Sequence, residues 1–204
     1  MENRYVKFMV FIFLASVVSA CGPKSFDSKD ELLAYLKNTD NGYHFQKSVN
    51  GIDYSLTYRP TDLMVSQFVQ NRNANKRINQ LRKKYRDYLY FNLSMSVNGR
   101  ELLSQNLGSR AKFGTMVNQF SFGMAEKVHL ISQSRDTLPL LDYVHPRTYG
   151  MGTGTEMLLV YEKNSVTMEQ AYMLFTIKDL GFNTGEISFK IDPEKIKQQP
   201  LLNF

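Results

Sequence analysis

Apolar and polar positions alternate along two linked stretches, "YHFQKSV" and "IDYSLTY", which are separated by Asn50-Gly51. A period of two puts every second side chain on one face of a strand. Asn-Gly between such stretches marks a type I′ hairpin turn, because both turn residues need positive φ. A two-residue loop pairs Val49 with Ile52, Lys47 with Tyr54, Phe45 with Leu56, and Tyr43 with Tyr58. All eight share one face, so turn and pattern specify the same register, with Lys47 the single polar member. Upstream, "SKDE" reads as a capping box with Ser28 as N-cap and Glu31 at the third helical position. Leu32, Leu33 and Leu36 then form an apolar stripe, and "NTDNG" ends the helix.

Pro60-Thr61-Asp62 opens a second helical pattern carrying Leu63, Met64, Phe68, Ile78, Leu81 and Tyr85. Its middle, "QNRNANKR", has no large apolar side chain, so the helix is either exposed there or broken near residues 70–75. From Leu89 the period returns to two through Phe91, Leu93, Met95 and Val97, and Asn98-Gly99 marks a further turn. After Gly108 the pattern predicts short strands near 115–122, 126–132, 137–144, 155–162, 171–178 and 186–191. Turn-separated strands at that spacing suit a sandwich, and Pro139 demotes one of them to an edge. The expected fold class is α+β: a helix-flanked β-hairpin region followed by a β-rich, sandwich-like C-terminal part. The folded body is residues 28–204, as one mixed domain or as two subregions, 28–108 and 109–204.

The N-terminus departs from these patterns. Arg4 and Lys7 precede an apolar run at residues 8–18, and Ser19 and Ala20 close it. A bilayer span needs about 20 apolar residues, so the run has the length of a signal-peptide core instead. The motif "VSAC", Val18 to Cys21, resembles the lipobox of bacterial lipoproteins, with Val18 where Leu is commoner. The resemblance implies a signal peptide at 1–20, cleavage before Cys21, and a diacylglyceryl thioether on Cys21. It covers only these 21 residues. A thiol suits that role as the softest side-chain nucleophile. Two or three acyl chains anchor stably where one does not. Gly22 stands where enteric lipoproteins kept in the inner membrane carry Asp, so the resemblance implies the outer membrane. Residues 21–27 then form a lipidated cysteine and a short tether, which keeps the body near the membrane.

Cys21 is the single cysteine, so no intramolecular disulfide is available and packing alone must stabilise the body. The formal charge is +6, a moderate excess. Much of it is concentrated in "RNANKRINQLRKKYR", where Arg72, Lys76, Arg77, Arg82, Lys83, Lys84 and Arg86 occur with no acid. Such a run is either a solvated helix face or a contact for anions: lipid headgroups, lipopolysaccharide phosphates or an acidic partner. Nucleic acid is not expected, since no RNP, helix-turn-helix or zinc signature accompanies the charge.

No catalytic pattern emerges. "YGMGTGTEM" holds Gly150, Gly152 and Gly154, but no Gly-Lys-Ser/Thr follows and "TEMLLVYE" reads as a strand, so it is a hairpin connection. His44, His129 and His145 sit at no metal-ligand spacing. No Gly-x-Ser-x-Gly elbow is present, and although distant carboxylates such as Asp142 and Glu156 can meet in space, any fold offers such pairs and nothing in the sequence selects them. No cofactor or metal is expected. The expected function is a membrane-anchored, non-enzymatic binding or assembly component of a cell-envelope complex. The alternatives are a hydrolase of cell-wall or surface glycans and a carrier of a lipid or small apolar ligand.

Overall fold

The computed structural model describes residues 22–69, 75–106, 108–146, 148 and 151–204. The signal-like segment, Cys21, Arg72, residues 70–74 of the stretch expected to be either an exposed or a broken helix, and Gly150 lie outside the described residues.

The chain begins with a short strand, β1 (Ser25–Phe26), then helix α1 (Lys29–Lys37). Ser28 caps α1, its Oγ accepting from the Glu31 N–H at 3.2 Å, and Leu32 and Leu36 are buried beneath it. β2 (His44–Val49) and β3 (Ile52–Tyr58) form the hairpin in the register the turn dictates. Asn50 and Gly51 lie at φ 51° and 76°. Nothing stands within 4 Å of the point where a Gly51 Cβ would sit, so the backbone conformation alone favours glycine there. Lys47, the polar member of the apolar face, is exposed, with its ammonium 5.7 Å from the Phe189 ring centroid.

Two helices follow, α2 (Thr61–Val65) and α3 (Asn75–Tyr85), then the long strand β4 (Tyr88–Val97). Asn98 and Gly99, at φ 51° and 69°, turn the chain into β5 (Arg100–Glu101), which folds back on β4. The strand expected near 115–122 is absent. Residues Arg110–Asn118 form helix α4 instead, capped by Ser109, and continue as a π-turn at Gln119–Gly123. The helical spacing of Phe113, Met116, Phe120 and Met124 overrides the apparent alternation of Phe120 with Phe122. Phe120 and Met124 are fully buried, whereas Phe122 is 76% exposed.

The other expected strands form: β6 (Val128–Ser132), β7 (Thr137–Leu138), β8 (Leu140–Val144), β9 (Thr155–Glu162), β10 (Met173–Ile177) and β11 (Ile187–Ile191). Two short helices, α5 (Ser165–Met168) and α6 (Pro193–Lys197), and a final strand, β12 (Leu201–Leu202), complete the fold. The main sheet runs β2-β3-β4-β9-β8, with β5 appended to β4, and the second runs β11-β10-β6-β7. Pro139 sits between β7 and β8, each the edge strand of its own sheet. A residue without an N–H suits that hand-over from one edge to the other.

The two sheets share one core. Phe91 and Tyr161 of the main sheet meet Phe175 of the second, at centroid distances of 6.0 and 6.3 Å, and Phe45 meets Phe189 at 6.3 Å. The fold is therefore α+β and sheet-rich, with sheet packed on sheet. The C-terminal part does not build the layers alone. β4 pairs β9 along eight residues, so the main sheet draws strands from both sides of residue 108.

Candidate functional site

Two regions concentrate polar chemistry on the surface. The first is the basic helix α3. Its 100° turn per residue puts Lys76 in line with Lys83 and Arg77 in line with Lys84. These four are exposed on one side, away from buried Ile78 and Leu81. Arg86, beyond the helix end, is also exposed and approaches Asp87 at 3.5 Å. Arg82 stands apart from the run. Its Nε and Nη2 each donate to Asp62 at 2.7 Å, and Nη2 also reaches the Leu202 carbonyl at 3.3 Å. Asp62 is 2% exposed, so Arg82 is a structural partner rather than a free cation. The hydrogen bonds to Asp62 raise the Arg82 pKa further above its ordinary value.

That pair ties α3 to both ends of the described chain. Asp62 accepts the Leu202 N–H at 2.9 Å. Strand β12, which contains Leu202, pairs in parallel with β1 through Lys24–Leu201 and Phe26–Asn203 hydrogen bonds of 2.8 Å. Phe204 packs on the Val65, Ile78 and Leu81 cluster, with the Arg82 guanidinium 5.4 Å from its ring centroid. Residues 25–26, expected to lie in a short tether, are paired to β12, the strand whose Leu202 bonds Asp62 and Arg82.

The second region lies on the solvent face of the main sheet. Register and alternation line up His44, Thr57 and Asn92 in one cross-strand row. Gln46, Ser55, Ser94 and Glu156 form the next row, and Ser48, Asp53 and Ser96 a third. The first two rows, together with Arg59, line a cleft of about 480 Å³, walled at one side by Leu33, Leu36, Lys37 and Leu63. A neighbouring hollow of about 470 Å³ extends along the same rows and shares Gln46, Ser55 and Ser94.

Within the cleft, Asn92 Nδ2 donates to Glu156 Oε2 at 2.8 Å, and His44 Nδ1 lies 2.7 Å from Thr57 Oγ1. Arg59 differs from its neighbours. Its Nε is buried and has no hydrogen-bond partner, and burial lowers its pKa. Burial first, and then the nearby Lys37 charge, also lower the His44 pKa from 6.5. The fold therefore resists His44 protonation at pH values where the unfolded chain already takes up protons. The stability due to this group is fully present above about pH 6.5 and is lost as the pH falls from there through the lower folded-state pKa. A histidine NMR titration should place the His44 midpoint below 6.5, and Lys37→Gln should move it part of the way back. A midpoint at or above 6.5 in the native chain would contradict the desolvated setting.

The other residues singled out by sequence lie elsewhere. His145 Nδ1 is 2.9 Å from the Glu156 carbonyl, and its ring packs edge-on against Phe120. His129 Nε2 is buried without a partner on β6. No cluster of three His, Cys, Asp or Glu able to hold a metal occurs among the described residues. The glycine-rich segment lies between the antiparallel strands β8 and β9, as expected of a hairpin connection, and at its described Gly152 the N–H donates to Glu101 Oε1 at 2.8 Å. Asp142 pairs across from Val160, four residues beyond Glu156, so the two carboxylates do not share a row.

Sequence alternation showed that His44 and Gln46 face away from the core, but not what stands beside them. Arg59 lies just past a strand end, outside the alternation, and gave no signal of its own. No protein-family model matches the chain, and no curated protein matches it. Among solved structures the chain is similar to a protein of unknown function from Burkholderia pseudomallei K96243. The likeness has 10% identity and a TM-score of 0.43, and it covers 83% of this chain and 88% of that one.

Proposed function

We propose that this chain is a lipid-anchored envelope protein, held by acyl groups on Cys21, that acts as a non-enzymatic binding or assembly component at the outer membrane. The observation that carries the reading is the strap β1. Because Ser25 and Phe26 are paired to β12, only residues 22–24 separate Cys21 from the folded body. Three extended residues reach about 10 Å. The same β12 is hydrogen-bonded to Asp62 of α2 and to Arg82 of the basic helix itself. A lipid on Cys21 would keep the body within about that reach of the bilayer, so Lys76, Arg77, Lys83 and Lys84 can meet an anionic surface, whose charge is felt over about 8 Å at physiological salt. Each such cation near an anionic surface contributes about 1 kcal/mol.

A binding role suits the cleft better than hydrolysis does. Glycosidic cleavage ordinarily uses a pair of carboxylates, and the cleft lining includes Glu156 alone, already hydrogen-bonded to Asn92. The anchor is tested by Cys21→Ser, which should shift the protein from the membrane pellet to the soluble fraction, or leave it unprocessed. Normal maturation and retention by that variant would end the lipoprotein reading. The orientation is tested separately, with a soluble form lacking Cys21 and vesicles containing anionic phospholipid. Binding should weaken as salt rises, and replacing Lys76, Arg77, Lys83 and Lys84 by Gln should remove the salt-dependent part. If the Gln variant bound as well as the native protein, the basic face would be only a solvated one.

A further inference from the structure

The cleft on the main sheet contains a cation without a counter-ion. Arg59 makes no ion pair among the described residues, its Nε is buried, and no side chain accepts from it. A buried donor left unpaired is costly and is usually explained by water, an ion or a ligand. A guanidinium presents a fork of N–H groups that matches the two oxygens of a carboxylate or phosphate. Lys37 lines the same cleft and adds positive charge at its wall, while Glu156 is engaged by Asn92. The local balance therefore favours an anion.

The remaining lining says what the anion is attached to. Gln46, Ser55, Thr57, Asn92 and Ser94 are uncharged, and their hydroxyl and amide groups both donate and accept. Neighbouring strands hold them about 5 Å apart, comparable to the breadth of a sugar ring. Leu33, partly exposed at the cleft wall with Leu36 and Leu63 buried behind it, offers an apolar surface for the C–H face of such a ring. A volume of about 480 Å³ lies within the range of small-ligand sites.

We infer that this cleft binds a saccharide carrying a carboxylate or a phosphate, with Arg59 on the anionic group and the rows of Gln46, Ser55, Thr57, Asn92 and Ser94 on the hydroxyls. The assignment is independent of the anchor at Cys21: it concerns other residues, and a soluble protein tests it. Galacturonic acid and glucose 6-phosphate serve as the acidic probes. Galactose and glucose are their neutral counterparts, and acetate and inorganic phosphate the bare anions. Binding is read by titration calorimetry and by ligand-observed NMR on the whole chain.

At least one acidic sugar should bind, about tenfold or more tightly than its neutral counterpart and than the bare anion, since charged hydrogen bonds contribute more than neutral ones. Which of the two binds distinguishes a carboxylate from a phosphate source. Arg59→Gln should lose at least about tenfold, with Arg59→Lys intermediate because it keeps charge without the fork. Ser55→Val, which suits a strand, should block the sugar while leaving Arg59 in place, and it covers the case in which Arg59 variants fold poorly. Three results would overturn the inference: no binding by either acidic sugar, acetate or phosphate binding as tightly as the sugars, or full affinity in both Arg59→Gln and Ser55→Val.

Discussion

Arg82→Ala should destabilise the fold by about 3–5 kcal/mol, the cost of leaving a buried charge without its partner. Asp62 is 2% exposed and would retain only the Leu202 N–H of its three hydrogen bonds. Asp62→Ala should cost less, about 2–3 kcal/mol, through lost charge-assisted bonds and an orphaned Leu202 N–H. The asymmetry arises because the Arg82 side chain is 39% exposed and can turn to water. The double variant should lose less than the sum of the two, since each single change already breaks the same pair. Arg82→Lys should rescue only part of the loss, because a lysine cannot reproduce the paired Nε and Nη2 bonds. Urea denaturation supplies the energies. Amide exchange should show where the damage falls, with protection lost at Phe26, Leu201 and Asn203, whose backbone groups join β1 to β12. Lys83→Ala, on the exposed side of the same helix, should stay within about 0.5 kcal/mol of the native protein. Equal effects at Arg82 and Lys83 would mean that the pair has no structural role.

This contrast shows where the sequence could be read and where it could not. In "RKK", residues 82–84, the three cations look alike. What separates Arg82 is a carboxylate 20 positions earlier and a carbonyl 120 positions later, neither marked by any local pattern. The hairpin at residues 43–58 was legible because its determinants are local: Asn50-Gly51 selects the turn, and the alternation on either side selects the register. The α1 start was legible for the same reason, since Ser28 and Glu31 are three residues apart. Helix α4 was misread because Phe120 and Phe122 mimic a strand at short range, while the stripe through Phe113, Met116, Phe120 and Met124 has Gly114 and Thr115 within it. Those residues weaken a helix only by tenths to about 1 kcal/mol each, which packing easily overrides.

The polar cleft depends on distance along the chain in the same way. Alternation fixed which side chains of β2, β3 and β4 turn outward. It could not reveal that β9, some 60 residues further on, would pair with β4 and set Glu156 beside Ser94. Nor could it reveal that Arg59, at the end of β3, would sit with its Nε buried and unpaired. Local rules therefore supplied the faces of the sheet, while the chemistry on the outer face came from pairing between distant strands. The strap has the same origin. A parallel pair between residues 25–26 and 201–202 turns a presumed tether into part of the body. It thereby links β1 to α3 through Leu202 and Arg82.

Gly152→Ala should destabilise the protein by about 1–3 kcal/mol, the usual cost of forcing atoms into a filled site. A Cβ at that position would stand 2.8 Å from Glu101 Oε1, 2.8 Å from Thr148 Oγ1 and 3.2 Å from the Gly154 carbonyl oxygen. Glu101 cannot easily give way. It is 4% exposed, it lies in β5 where it pairs with Ser96, and its carboxylate accepts from both the Gly152 N–H and the Thr148 hydroxyl. The next residue is fixed too, with the Leu102 N–H donating to Thr155 Oγ1 at 2.9 Å. Thr148 and Gly152, in the connection between β8 and β9, are thus both held on a buried carboxylate. Glu101→Ala should cost about 2 kcal/mol, because it orphans the Gly152 N–H and removes the acceptor for Thr148. Glu101→Gln, which keeps one acceptor oxygen, should cost less. Gly114→Ala is the internal control. Open space surrounds that position within α4, so alanine there should stabilise by about 0.5–1 kcal/mol through helix propensity. Thermal and urea unfolding of the set decide the matter. Opposite signs at Gly152 and Gly114 are expected, and a neutral or stabilising Gly152→Ala would show that the loop is not held on Glu101.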